Sequence, residues 1–176
     1  MKQYYIYILI LFSVLGHATT PYRTRILAPS IKTLQAGIEN ENNSLPIIEL
    51  NDTRKIEIRF DEMSHETKNY SYKVLHCNAD RTLSDITTNE YLSGYTNGYI
   101  TDYQHSVNTH YLYTHYRFNL PNDEMQFKIS GNYVVLIYED NQQDKPVAQA
   151  CFSIVEPKVN ITPTIRANTD IEINGR

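Results

Sequence analysis

The sequence is short of cysteine, has no excess of positive charge and holds no apolar run long enough to span a bilayer, and each shortage removes a class of protein. Cys77 and Cys151 are its two cysteines among 176 residues. They form no Cys-x-x-Cys pair, so a structural zinc ribbon has no ligands. The apolar run Tyr4–Leu15 stops well short of the roughly 20 residues a membrane-crossing helix needs. Sixteen Lys and Arg stand against 20 Asp and Glu, for a net charge of −4, and the two signs are interspersed. A basic face of the kind that tracks phosphates is missing, and nucleic acid is not an expected partner.

Catalytic signatures are missing as well, each on a named residue. His65-Glu66 begins like a zinc-protease helix, but Asn69 stands where the second imidazole must sit. Gly94-Tyr95-Thr96-Asn97-Gly98 has the outline of a nucleophile elbow with Thr for Ser, yet nothing around it predicts the strand-to-helix turn an elbow requires. Neither a phosphate-cradling glycine loop nor a dinucleotide fingerprint occurs. His65, His76, His105, His110 and His115 are scattered, and His110 and His115 fall on opposite faces of a regular strand. Asp61, Glu62 and Glu66 read as a solvated strand end. The expectation is a protein without enzymatic activity, cofactor or metal.

What is present begins with an export signal. Met1-Lys2-Gln3 precedes the apolar run, and Gly16-His17-Ala18 places small residues at the two key positions, so a signal peptide is predicted over 1–18 with cleavage after Ala18. With no cysteine near that point, a lipid anchor has no residue to carry it. Residues 19–156 have the length of one ordinary domain, able to bury roughly 70% of the surface its unfolded chain exposes. In an exporting compartment Cys77 and Cys151 are free to pair, which would contribute about 4 kcal/mol on the chain-entropy account. The alternative is two separate buried thiols acting as small apolar residues.

Period-two patterning dominates the mature chain. Ile56, Ile58 and Phe60 alternate with Glu57, Arg59 and Asp61, and Tyr70, Tyr72, Val74 and His76 repeat the pattern. Further strands are predicted at Ile31–Ile38, Pro46–Leu50, Tyr111–Leu120, Gly131–Tyr138 and Val147–Val155, separated by Asn, Asp, Gly and Pro clusters. About seven strands of this spacing predict an all-β, immunoglobulin-like antiparallel β-sandwich. Leu83–Asn108 does not keep that rhythm and reads as a long loop rich in Tyr, Thr, Asn and Gly. Residues 157–176, with Pro157 and Pro163, read as a linker and the truncated start of a following domain.

Tyrosine is the unusual feature of that loop. Tyr91, Tyr95, Tyr99 and Tyr103 recur at four-residue spacing, but Gly94 and Gly98 fall among them and lower helix propensity by about 1 kcal/mol each. A tyrosine joins a large apolar face to a polar tip. These four are the candidate partner-binding residues, suited to a protein surface or to stacking on sugar rings; the other reading is that they cover the sandwich edge.

The chain also resembles a known family. The segments Lys55–Met63 with Ser64-His65-Glu66, Asn69-Tyr70-Ser71-Tyr72, His76-Cys77-Asn78-Ala79-Asp80 and Asn89-Glu90-Tyr91-Leu92 look like the first domain of the type IX secretion system plug protein. The likeness continues through Thr114–Phe118, Leu120-Pro121-Asn122, Ser130–Tyr133 and Tyr138-Glu139-Asp140, and resumes at Asn168–Ile171 and Asn174-Gly175. That resemblance implies a periplasmic, non-catalytic domain that helps plug the outer-membrane translocon β-barrel of the secretion system. The alternative function is an exported carbohydrate-binding β-sandwich module.

Overall fold

Two kinds of apolar pattern build two kinds of sheet. The computed structural model describes residues 20–64, 66–140, 142, 144–159 and 161–164; the predicted signal peptide, His65 and residues 165–176 lie outside them. In chain order the elements are β1 (Arg25–Ile26), β2 (Ile31–Ile38), β3 (Ile47–Glu49), β4 (Ile56–Glu62), β5 (Tyr70–Cys77) and a one-turn helix α1 (Thr88–Tyr91). Then follow β6 (Leu92–Gly94), β7 (Asn97–Ile100), β8 (Asp102–His105), β9 (Thr114–Leu120), β10 (Met125–Phe127), β11 (Gly131–Glu139) and β12 (Pro146–Val155). The first sheet runs β1-β12-β11-β5-β7, with β3 also pairing β12; the second runs β2-β4-β9-β8, and β10 and β6 form a small third sheet. All the expected strands are present, the one predicted from Tyr111 starting at Thr114. The pairs are antiparallel except β3 with β12.

Strict alternation gives the second sheet one wet face. On β4 Ile56, Ile58 and Phe60 are fully buried, while Glu57, Arg59 and Asp61 point outward. Continuous apolar runs give the first sheet two covered faces. Tyr133–Ile137 on β11 and Val147–Phe152 on β12 are buried throughout. Their inner side chains meet the second sheet in a core whose aromatic centre is Phe60, Tyr70 and Tyr116, with ring centroids 4.9 to 5.3 Å apart. A second aromatic group joins Tyr133, Phe152 and Phe127.

On the outer side of the first sheet, Cys77, Val134, Leu136 and Cys151 pack with Tyr22, Leu75 and Tyr138. The N-terminal segment holds this cover in place. Tyr22 donates its backbone N–H to Arg81 at 2.9 Å, Gln149 donates from Nε2 to the Arg23 carbonyl at 2.6 Å, and the Cys151 N–H reaches Thr24 Oγ1 at 2.9 Å. The two cysteines are free and buried. Pairing is ruled out by register: Cys77 lies opposite Asn132 and Cys151 opposite Val134, on strands flanking β11. Two strand spacings, about 9.5 Å, separate their backbones, and a disulfide tolerates Cα atoms only to about 7 Å. Burial, with Cys151 nearby as a lesser cause, pushes the Cys77 thiol up to about 11.

Leu83–Asn108, expected as a loop, holds α1 and three short strands instead. Their identity comes from tertiary contacts that no local pattern reports. β7 pairs with β5 so that Gly98 faces Tyr72, and a Cβ on Gly98 would lie 2.4 Å from the Tyr72 ring. Only glycine fits beneath that ring, which itself stacks on Phe118 of the opposite sheet at 4.5 Å. At Gly94 the backbone turns at φ +95, where a Cβ would meet the Glu124 carbonyl at 2.0 Å.

Candidate functional site

The helical turn α1 sorts the tyrosines. Thr87 and Glu90 form a capping box, and the turn ends at once in the extended Leu92. This drives Tyr91 inward, where it is 4% exposed, donates its hydroxyl to the Val74 carbonyl at 3.3 Å and packs near His76 and Tyr133. Tyr91 is therefore a core residue, and the surface reading made for it is corrected. His76, bonded through Nδ1 to Ser84 Oγ at 2.9 Å, is held below the ordinary histidine range by burial.

The next three tyrosines do reach solvent. Tyr95 is 69% and Tyr99 70% exposed, and Tyr103 is partly exposed where it leans on Tyr116. They follow one length of chain along one side of the sandwich. β7 is the last strand of the first sheet and β8 the last strand of the second, and the single residue Thr101 joins them. The hairpin loop after β8 adds exposed Val107, Tyr111 and Leu112, which the spacing of the four tyrosines did not single out. Tyr113 is half-buried and Tyr116 wholly buried, with its hydroxyl bonded to the backbone N–H and carbonyl of Lys68 at 2.9 and 3.0 Å.

The wet face of the second sheet offers a different feature, a polar trough of about 760 Å³ lined by residues including Gln35, Glu57, Arg59, His115 and Arg117. Its arginines and its histidine are already matched. Arg59 reaches Gln35 and Glu57 at 2.9 and 3.3 Å, His115 reaches Asp61 at 2.6 Å, and Arg117 reaches Asp102 at 2.7 Å. No tyrosine or phenylalanine lines it, so it gives a sugar ring nothing broad to stack on. Among the described residues no three His, Cys, Asp or Glu side chains gather as metal ligands, and no helix is long and apolar enough to cross a membrane.

The family profile described as "Type 9 secretion system plug protein 1st domain" matches residues 31–156. The chain belongs to this plug family. The match takes in β2 through β12, and with them the tyrosine-bearing side. A crystal structure of a hypothetical protein from Parabacteroides merdae is similar to this plug-family chain at 40% identity and a TM-score of 0.77. The likeness covers 78% of this chain and 35% of that one, so the chain spans about a third of that relative's length. A DNA-bound alkylpurine DNA glycosylase from Pseudomonas fluorescens aligns over 71% of this chain and 30% of its own at 10% identity, with a TM-score of 0.34, too low to bear on the fold. No curated protein matches.

Proposed function

We propose that this plug-family chain is a periplasmic, non-catalytic docking domain that helps close the outer-membrane translocon β-barrel of the secretion system. The observation that carries the reading is the stretch from β7 to the loop after β8, along which Tyr95, Tyr99, Tyr103, Val107, Tyr111 and Leu112 are exposed. Exposed aromatics recurring along one stretch of chain suit a protein interface, since each adds a large contact area with little conformational entropy to lose. Residues 1–18 would deliver the chain to the periplasm as a cleaved signal peptide, and residues 157–176 would lead toward a following domain.

The test is affinity capture of the tagged full-length protein from native outer membranes, with partners identified by mass spectrometry. Recovery of the translocon barrel by the wild type, reduced when Tyr95, Tyr99 and Tyr103 are changed to Ser, is the expected result. Clean recovery of the full-length protein without any barrel would sink the reading.

A further inference from the structure

Two of the four long edges of this sandwich are protected. The free side of β12 is taken by β1 at Ala148 and Gln149 and by β3 at Ser153–Val155, with the Thr24 side chain filling the gap at Cys151. The edge of β2 is broken by a bulge between Lys32 and Gln35, where Thr33 adopts φ 50. Bulges and covering segments are the devices that keep an edge from pairing with another chain. Among the described residues the other two edges, β7 and β8, carry neither.

Hydrogen-bond alternation fixes which backbone groups on this side are unused. The Val74 N–H donates to the Thr96 carbonyl at 3.1 Å, so in the same register Gly98 and Ile100 bond to β5, while Asn97 and Tyr99 turn their N–H and C=O outward. The Ser106 N–H donates to the Tyr113 carbonyl at 2.9 Å, so Asp102 and Gln104 bond to β9, while Tyr103 turns outward. Thr101 lies between the two ladders without a ladder partner. Asn97 and Tyr99 on β7 and Tyr103 on β8 thus present their amides outward on either side of Thr101, where the chain passes from the first sheet to the second. Asn97–Tyr103 contains no proline and a single charge, Asp102, which Arg117 neutralises at 2.7 Å.

We infer that partner recognition by this domain proceeds through strand addition: an extended, uncharged segment of the partner pairs with the backbone of Asn97–Tyr103. Donors and acceptors alternating along an extended chain are matched by another extended chain, which makes the occupant a β-strand and not a helix or a glycan. Tyr95, Tyr99 and Tyr103 then contact the side chains of the added strand, while its main chain supplies register. The inference rests on the docking reading above and adds its mode.

Asn97→Pro and Thr101→Pro test it in the full-length protein. The first deletes an outward N–H and the second the N–H of the residue joining the two ladders; both spare every tyrosine and leave the β5 and β9 ladders intact, so melting should track that of Asn97→Ala and Thr101→Ala controls. Losing one bond and stranding its acceptor should weaken capture about tenfold, with the alanine controls near wild type. Amide exchange at Asn97, Tyr99, Thr101 and Tyr103, compared between purified protein and native envelopes, gives a second readout. Barrel capture that the proline variants leave unchanged, with no slowing of these amides, overturns strand addition and leaves the docking reading standing. Slowed amides without any captured barrel support strand addition and overturn the assigned partner. With neither capture nor slowing, both fall.

Discussion

One side of the sandwich is closed and the other is open, and the difference shows where selection on stability ends. On the closed side β1, β3 and a threonine side chain share the edge of β12, while Tyr22 and its neighbours cover the apolar outer face of the same sheet. On the open side β7 and β8 end their sheets with exposed tyrosines and outward amides. Protecting an edge takes only a bulge or a short covering strand, and this chain uses both elsewhere. On the docking reading, an edge left without them, on a stretch of chain with six exposed apolar side chains, is a surface kept available.

The comparison breaks most sharply if β7 is detached. Gly98→Val places side-chain atoms where the Tyr72 ring lies and disturbs the Tyr72 stack on Phe118, so it should cost about 3 kcal/mol in denaturant titration. If Gly98→Val leaves stability unchanged, the seat of β7 on β5 is wrong. On the closed side Thr24→Val should cost less, about 1 to 2 kcal/mol, because the Cys151 N–H then loses its acceptor in a buried setting. That value equals a sizeable share of the stability of an ordinary domain, so urea midpoints will resolve it.

The thiols report on the closed face without a mutation. Cys77 has an ordinary value near 9 and is held at about 11 in the folded chain by burial. Between those values the unfolded chain has released a proton the folded chain keeps, so this thiol's contribution to stability is full below about pH 9 and lost as pH rises to about 11, while the buried tyrosines Tyr70 and Tyr133, also raised by burial, extend the fall to higher pH. Labelling by a thiol reagent at neutral pH should be slow, and Tyr22→Ala should speed it by uncovering the face. Equal labelling rates with and without Tyr22 would mean that the segment does not shield the thiols.

Much of the closed architecture could be read from residues. Ile56, Ile58 and Phe60 announced a half-buried strand, and the β-branched and aromatic run Gly131–Tyr138 announced another, whose burial on both faces only the structure shows. The open side was harder to read because its strands are defined by what they touch. Asn97-Gly98-Tyr99-Ile100 has a glycine where a strand former is expected, and that glycine is required by a tyrosine 26 positions earlier in the chain. The four-residue spacing of the tyrosines grouped Tyr91 with three surface residues, although a capping box at Thr87 and Glu90 sends it into the core. The spacing could not place Cys77 and Cys151 either, since strand order decides whether two cysteines are neighbours. The outward amides follow from strand order and register, which no single segment encodes.

The smallest effect on stability is expected at the open side's own residues. Tyr95→Ser, Tyr99→Ser and Tyr103→Ser remove side chains exposed to water, and substitutions away from buried contacts usually fall within about 0.5 kcal/mol. Tyr103 should show the largest change of the three, because its ring rests 5.8 Å from that of Tyr116. If the side exists for binding, these near-silent changes will reduce partner capture while melting barely moves. Stability loss in proportion to capture loss would instead make the tyrosines structural cover, and the open side would then be merely unfinished.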